Sequence, residues 1–363
     1  MKKIKNKSKY LKYQKRKFRR SLDHRREYLI FRKEMNKLRR RLSKRQKGGR
    51  KSRPLSMTTK NVVSAPKNLS LGSNTEEVIN FIKEIENKYN KRESVFVGLK
   101  KVTSIDYGAI VVLLSIMVKF RSSKIRFNGD FPDDIGSRTK LQTSGFFDNL
   151  YKNFIKLDRY SISANNADGI LTHAWRRVDS KLGARLIKAA SLTIWGDERR
   201  CQGVQRVLLE LMQNTNNHAS INKKGEKHWW LSVNHIKNDK KVCFAFVDFG
   251  VGVFTSLANK PNQSKFFNWT EKIIQKYKYG NNAELLKLIL DGDFHQTVTG
   301  EYFRGKGLPG IAQVYNRKQI SELKIITNDV CYSSNPVEFR KMNSSFNGTY
   351  IYWEVNSSNG NCK

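Results

Sequence analysis

The sequence of 363 residues has few acidic side chains relative to its basic ones. Its 31 Asp and Glu residues stand against 70 Lys and Arg residues, which gives a formal net charge of +39. Such an excess favours polyanionic partners, nucleic acid first and an acidic membrane surface second. Hydrophobic residues make up 38% and aromatic residues 11%, which is enough for a folded core and argues against wholesale disorder.

Cysteines are scarce, and long apolar runs are missing. The four cysteines lie far apart without a CxxC pair, which predicts free thiols in a reducing cytoplasm. The longest apolar run, Ile110–Val118, is about half of the ~20 residues that a bilayer span needs. The charged N-terminus lacks the following apolar segment of a secretory signal. We therefore expect a soluble, cytoplasmic protein without a membrane span.

The sequence also lacks the GxxxxGK[ST] pattern of a P-loop. Gly305, Gly307 and Gly310 satisfy a GxGxxG pattern. Neither the preceding strand nor the later acidic residue of a dinucleotide-binding fold is clear, so this match is weak. Glycines beside Lys306 still suit phosphate, because exposed backbone N–H groups and an ammonium group can contact the anion.

The positive charge is concentrated near the N-terminus. Of the first 54 residues, 25 are Lys or Arg and three are acidic, so this stretch carries +22 and the rest of the chain +17. Between Leu22 and Arg45, good helix formers with a thin apolar edge predict a helix that needs a polyanion to screen its self-repulsion. We predict a basic, partly helical arm over residues 1–56 that contacts the phosphates of RNA or DNA. Its candidate contacts are Lys15, Arg16, Lys17, Arg19, Arg20, Arg39, Arg40 and Arg41.

Two other interpretations of the arm stay open. Charge runs often serve only as solubilising or disordered tails, although the density of basic residues favours nucleic acid here. A membrane-surface anchor is less favoured, because the apolar edge is narrow.

Residues 57–165 alternate between helical and strand patterns, which is typical of a small α/β domain with a parallel-containing sheet. Asp106 stands where a helix N-cap belongs. The predicted elements are a helix over Thr75–Tyr89, a strand over 94–99, a helix from Asp106 through Val118, a strand over 124–129 and a helix ending near Phe147.

The order of these elements and the stretches 102–106, 124–129 and 141–147 resemble the STAS domain of anti-sigma-factor antagonists. In phosphorylatable members a serine follows the aspartate at the helix start, whereas Tyr107 stands there in this sequence. The resemblance implies a module that docks a protein partner. A plain structural domain is the alternative.

One predicted helix further along the chain carries a row of polar side chains. Apolar residues recur three and four positions apart between 204 and 211, as on a buried helix face. Glu210, Asn214 and His218 follow one another at intervals of four and stack on a different face. They suit a metal–phosphate group, because they can supply a base, a metal ligand and a polar neighbour. A solvated polar edge is the alternative.

An aspartate and two glycines follow the second of two predicted strands, over 227–233 and 242–247. Asp248 is costly to bury at the end of an apolar strand without a hydrogen-bond donor. Gly250 and Gly252, at alternate positions, let a flat ligand approach the backbone. The pattern favours a ligand site over a plain turn.

Three blocks of the sequence resemble, in chain order, the N box and the two glycine boxes of the GHKL ATPases. They are the Glu210–His218 row, Asp248–Gly252 and Gly305–Leu308. Asn347–Ile351 resembles the late Gly-Thr strand of that superfamily. The resemblance covers residues 166–363 and implies a Bergerat fold, an α/β sandwich in which a mixed sheet carries helices on one face and ATP lies between.

The resemblance also implies roles for the residues of these blocks. Asp248 would accept a hydrogen bond from the adenine amino group, Asn214 would bind Mg²⁺, and Glu210 would orient or deprotonate the attacking group. The implied nucleotide contacts are Asn214, His218, Asp248, Gly250, Gly252, Gly305, Lys306, Gly307 and Thr349.

Three activities are compatible with this sequence. The first is a Mg-ATP-binding ATPase that acts as a switch in a nucleic-acid-associated regulatory assembly, with which a host-defence role is compatible. The second is a serine/threonine kinase resembling anti-sigma factors, although Tyr107 counts against phosphorylation in cis. The third is nucleotide binding without turnover, against which Glu210 counts, because a site that only binds needs no base. A histidine kinase is disfavoured, because His173 lacks the acidic residue and proline of a phosphoacceptor motif.

Overall fold

The computed structural model describes residues 61–146, 169–175, 178–218, 228–258, 282–292 and 307–360. All of them belong to one unit of the chain, which spans residues 57–363, while residues 1–56 are a second unit. The predicted nucleic-acid arm, with its eight candidate Lys and Arg contacts, lies outside the described residues.

The N-terminal part of the described chain combines helices with two small parallel sheets. In chain order its elements are β1 (Val62–Ser64), β2 (Asn68–Leu69), α1 (Thr75–Asn90), β3 (Val95–Gly98), β4 (Ser104–Ile105), α2 (Tyr107–Ser122), β5 (Phe127–Gly129) and α3 (Ile135–Thr143). One sheet has the strand order β1-β3-β5, and the other pairs β2 with β4. The predicted helices and strands are found, although the strand predicted over 124–129 is confined to Phe127–Gly129. Helix α3 ends at Thr143, and the predicted helix end at Phe147 lies outside the described residues.

Asp106 caps α2, as predicted, and also organises the turn that precedes α1. One carboxylate oxygen, Oδ1, accepts from the backbone N–H of Ala109 at 2.7 Å. The other, Oδ2, accepts from the Ser70 hydroxyl at 2.7 Å and from the Gly72 N–H at 2.9 Å. A single side chain therefore satisfies donors at the starts of two segments that lie far apart in sequence.

The C-terminal part is built around a five-stranded sheet. Its elements are β6 (Gly169–Trp175), α4 (Ser180–Trp195), α5 (Gln202–His218), β7 (His228–Ile236), β8 (Lys241–Asp248), α6 (Val253–Ala258), α7 (Asn282–Asp291), α8 (Gly307–Asn316), β9 (Ser321–Ser334) and β10 (Val337–Asn356). The strand order is β6-β7-β8-β10-β9, and every described pairing is antiparallel. The parallel pairs lie in the two smaller sheets, whereas the resemblance implied a mixed large sheet. The predicted break between α4 and α5 falls at Gly196, whose φ of 83° ends α4.

Both faces of this sheet are covered by other elements. Phe244 and Phe246 of β8 face a core shared with α4, α5, α7 and α8. Ala245 and Val247, at the alternate positions, face a second core shared with α1 and α2. The resemblance implied helices on one face of the sheet, and here the N-terminal part covers the other face. This second core therefore crosses the predicted domain boundary near residue 165.

Aromatic rings anchor the helical face of the sheet. Phe244 stacks on Trp353 with ring centroids 5.1 Å apart, and Trp229 stacks on Phe246 at 5.8 Å. Large rings of this kind contribute most of the apolar area that a core buries.

The cysteines follow the prediction in part. Cys243 and Cys331 are free and buried. Cys201 takes part in a disulfide bond, so the prediction of a free thiol is wrong at this position. Among the helices that the structure describes, none combines the length and apolarity of a bilayer span.

Candidate functional site

Helix α5 presents Glu210 and Asn214 beside its buried apolar face. Val204, Leu208 and Leu211 lie in the core under the sheet, as their spacing predicts. Glu210 lies at the rim of this buried face, with its side chain 19% exposed, and its Oε1 accepts from the Nε of Arg206 at 2.6 Å. A carboxylate at the edge of a core can take part in chemistry and still be held in place by its surroundings.

Helix α8 brings the second glycine block against this row. An ideal Cβ built on Gly310 would lie only 2.5 Å from Oε2 of Glu210. One built on Gly307 would overlap the side-chain amide nitrogen of Asn214. Glycine therefore lies where the two polar side chains need room, and the structure brings together blocks that the sequence separates by 93 to 100 positions. Gly305 and Lys306 lie outside the described residues, as does the side chain of His218.

The start of α8 is suited to an anion. Helix α8 begins at the buried Gly307 and runs for ten residues. The first N–H groups of a helix have no partner within it and point along a dipole that favours negative charge. Asn214 and Glu210 flank this end of the helix. The N–H groups of Gly307 and Leu308 are donors for an anion next to a carboxylate and a carboxamide, whereas Pro309 has no N–H.

Alanine in place of Gly310 tests how closely α8 approaches Glu210. The added methyl group should destabilise the fold by about 1–3 kcal/mol, as overpacking of a close contact does, measured by chemical denaturation. Gly183→Ala in α4 is the matched control, because its Cβ would meet only ordinary contacts at 3.7 Å and beyond. The Gly310 effect should shrink when Glu210 is also alanine, and simple additivity would contradict the contact.

Asp248 ends β8 in a row of paired residues that crosses four strands. Its Cα pairs with Trp229 of β7 and with Thr349 of β10, and Thr349 pairs in turn with Thr327 of β9. Trp229 belongs to the core under α5 and α8. Since paired residues of a sheet point to the same face, Asp248 and Thr349 lie on the face that carries these helices.

The environment of Asp248 raises the pKa of its carboxyl group. Burial raises the pKa of the Asp248 carboxyl group to about 6, although hydrogen bonds from the backbone N–H groups of Gly250 and Thr349 lower it. The Gly250 N–H lies 3.0 Å from Oδ1. A carboxyl group with this pKa is still mostly ionised at neutral pH. A ligand donor would stabilise the ionised form further.

A bulge in β10 places Thr349 beside Asp248. The pairing with β9 is shifted between Phe346 and Thr349. Within the bulge, Gly348 has a φ of +123°, and a Cβ there would overlap the backbone carbonyl oxygen of Asp248. Thr349 is buried, with its hydroxyl 3.5 Å from that of Thr327. The Gly-Thr pair thus lies against Asp248.

Asn328, which the sequence did not single out, holds the loop that follows Asp248. Its Nδ2 donates to the Val251 carbonyl at 3.0 Å, and its Oδ1 accepts from the Phe254 N–H at 3.1 Å. The hydroxyl of the neighbouring Thr327 accepts from the Val253 N–H at 3.0 Å. A polar pair that directly follows Ile325 and Ile326 in an apolar strand is the sequence signal that could have identified these residues.

The local structure requires glycine at position 252. Its φ of +77° lies in the left-handed region, and a Cβ would overlap Oδ1 of Asn328. Both facts require glycine. The close approach of Asn328 therefore accounts for this residue without a ligand, which the sequence pattern alone did not indicate.

Two clusters thus lie on the helical face of the sheet. One joins Glu210 and Asn214 to the start of α8, and the other joins Asp248 to its glycine loop and Thr349. Within the described part of the chain, no group of three or more His, Cys, Asp or Glu residues is arranged to hold a metal ion. Comparisons with protein-family models, with curated proteins and with solved structures find no match for this chain.

Proposed function

We propose that this protein binds Mg-ATP on the helical face of its large sheet and hydrolyses it as a GHKL-type ATPase with a Bergerat-type fold. The observation that carries the proposal is the contact of Gly307 and Gly310 with Asn214 and Glu210. A structural turn or helix crossing does not need polar side chains at these positions. A site for a triphosphate does, because it must supply donors, a metal ligand and a base in one place.

Asp248 is the proposed adenine acceptor. Its carboxylate is partly buried and already accepts from the Gly250 N–H, and a further donor from a ring amino group would favour its charged form. Hydrogen bonds with one charged partner are about twice as strong as neutral ones. Thr349 lies beside it and adds a hydroxyl at the edge of the same site.

At the other end of the nucleotide, the start of α8 would receive the phosphates. Its first N–H groups point out of the helix, and Gly305 and Lys306 directly precede it in the sequence. The carboxamide oxygen of Asn214 suits Mg²⁺, which usually takes one or two protein ligands besides phosphates and water. When bound, Mg²⁺ would neutralise the charge that develops on the phosphates. Glu210 would accept the proton of the attacking water.

The decisive measurement is calorimetric titration of the full-length protein with ATP, ITP and GTP in the presence of Mg²⁺. We expect saturable ATP binding and affinities at least about tenfold lower for ITP and GTP, whose ring carries a carbonyl where adenine has its amino group. Equal affinities for the three nucleotides would contradict the role of Asp248. No saturable binding of ATP would overturn the proposed function.

The fate of the γ-phosphate separates hydrolysis from the alternatives. Labelled phosphate released into solution would support an ATPase. Label transferred to protein would indicate the serine/threonine kinase, with a STAS-type partner as its target. Binding without release or transfer would indicate a nucleotide-binding module without turnover.

We further propose that the basic arm attaches this nucleotide switch to RNA or DNA as part of a regulatory assembly. The +22 charge of the first 54 residues supports it. For six to ten phosphate contacts, raising salt from 50 to 200 mM should weaken binding by about 10³- to 10⁵-fold.

A variant in which the eight candidate arm residues are alanine should bind nucleic acid with a much shallower salt dependence, measured by fluorescence anisotropy. It should bind ATP like the unmodified protein, which makes nucleotide affinity the internal control. Unchanged nucleic-acid affinity in this variant would show that the arm is not the attachment site.

A further inference from the structure

The stretch Asn347–Tyr350 of β10 is shared between the proposed nucleotide site and the N-terminal part of the chain. Thr349 pairs with Asp248 on the helical face of the sheet. Tyr350, the next residue, is buried in the core on the opposite face. Its hydroxyl group lies against Gly108 at the start of α2, where a Cβ would overlap it. These four consecutive residues of β10 therefore contact both the proposed nucleotide site and the N-terminal part of the chain.

Helix α1 holds the same stretch through a nearly buried carboxylate. The side chain of Glu86 accepts from the Nδ2 of Asn347 at 2.8 Å, and the residue is only 9% exposed. A buried carboxylate needs donors, because losing its water costs free energy that hydrogen bonds must offset. The Glu86–Asn347 contact is therefore stronger than an exposed pair would be.

Further contacts between α1 and β10 lie alongside this one. The hydroxyl of Ser344 donates to Oδ1 of Asn80, and the Asn343 N–H lies 3.4 Å from a carboxylate oxygen of Glu76. These two hydrogen bonds are exposed to solvent, whereas the Glu86–Asn347 hydrogen bond is partly buried. Glu86 is thus the best placed of the three to transmit a change.

Asn347 connects directly to the nucleotide side. It precedes Gly348, whose positive φ brings its backbone against the carbonyl of Asp248. Thr349, which follows Gly348, pairs with Asp248 across the two strands. A shift of Asn347 would therefore move the backbone that packs against Asp248, the proposed adenine acceptor.

We propose that Glu86 is a positioning residue for the nucleotide site and couples the N-terminal α/β part to nucleotide binding. This inference rests on the proposed function for its ligand. Coupling of this kind is reciprocal: if α1 tightens the site, then bound nucleotide must also stabilise the packing of α1. The STAS-like part is then a sensor or transmitter of nucleotide state within the same chain.

The test compares Glu86→Ala, Glu86→Gln and Glu84→Ala in the full-length protein. Glu84 lies on the same helix but is exposed, so its substitution controls for charge and helix propensity. We expect Glu86→Ala to weaken ATP binding about five- to tenfold. Glutamine keeps an acceptor oxygen for Asn347, so it and Glu84→Ala should stay within about twofold of the unmodified protein.

A double-mutant cycle with Asn347→Ala shows whether the effect runs through this contact. Two residues that act through one hydrogen bond give non-additive effects on affinity. We expect the double variant to bind ATP about as weakly as Glu86→Ala alone. Additive losses would overturn the proposed route from Glu86 to the site.

Hydrogen exchange of the nucleotide-free protein supplies a readout that needs no ligand. The amide of Thr349 should exchange about tenfold faster in Glu86→Ala than in Glu86→Gln. If ATP fails to bind the unmodified protein but this difference is found, the positioning role stands and the proposed function falls. If ATP binds and neither its affinity nor the Thr349 exchange rate responds to Glu86→Ala, the inference is wrong.

Discussion

Asparagine in place of Asp248 should weaken ATP binding between about 10-fold and 100-fold while making the nucleotide-free protein more stable at pH 8. The affinity falls because the hydrogen bond from the adenine amino group loses its charged acceptor, a loss of about 1.5–3 kcal/mol. Asparagine keeps the size and an oxygen acceptor, so it removes mainly the charge. Calorimetric titration with ATP measures the change.

The stability gain follows from the direction of the pKa shift. The pKa of Asp248 is about 6 in the folded protein against a usual value of 3.8, so the folded state binds the proton more tightly than the unfolded state. Ionisation therefore begins to oppose folding as pH rises above about 4, and the full penalty is reached above pH 6. Two pKa units correspond to about 3 kcal/mol, an upper bound for the gain in Asp248→Asn at pH 8.

The pH dependence separates this effect from a general change in packing. The stability difference between Asp248→Asn and the unmodified protein should be largest at pH 8 and vanish near pH 4, as measured by urea denaturation. Asp239→Asn removes an exposed carboxylate in the turn before β8 and should leave stability almost unchanged at both pH values. A gain in Asp248→Asn that persists undiminished at pH 4 would contradict the assigned pKa.

The ionisation of Asp248 should also change the affinity of the protein for ATP. Protonation of Asp248 removes the charged acceptor, so the unmodified protein should bind ATP several-fold more weakly at pH 5 than at pH 8. The affinity of Asp248→Asn should change less over this range. An identical pH profile in both proteins would place the titrating group elsewhere.

Local sequence patterns predicted the elements that local physics determines. The helical spacing of apolar residues located α5 and placed Glu210 and Asn214 on one side of it. Asp106 was identified as a cap because a short acidic side chain before an apolar helix satisfies free N–H groups. The broad α/β class followed from the alternation of these patterns, and the structure confirms it.

Local sequence patterns could not predict the contacts between distant parts of the chain. Asn328 holds the Val251–Phe254 loop across more than seventy positions, and no local pattern links the two. The N-terminal part covers the second face of the large sheet, where Ala245, Val247 and Tyr350 are buried, while the alternate residues of the same strands are buried on the first face. A β-strand with apolar residues on both faces indicates burial on both, but does not identify the partner.

The largest effect is expected at Glu210, where alanine should lower the rate of ATP hydrolysis by about 10²- to 10⁴-fold. General bases contribute this much when they accept the proton of an attacking water. Binding of ATP should stay within about threefold, because the proposed adenine and phosphate contacts lie on other residues. Turnover is measured as phosphate release under saturating ATP, and affinity by calorimetry.

Glu210→Gln distinguishes a base from a group that only shapes the site. Glutamine fills the same volume against Gly310 and keeps an oxygen acceptor for Arg206, yet it cannot take up a proton. Both variants should therefore lose turnover. Arg206→Ala is the matched control, because its side chain is 49% exposed and such ion pairs contribute little; turnover should change less than tenfold. If Glu210→Gln retained full activity while Glu210→Ala lost it, Glu210 would support the packing of α8 rather than activate water.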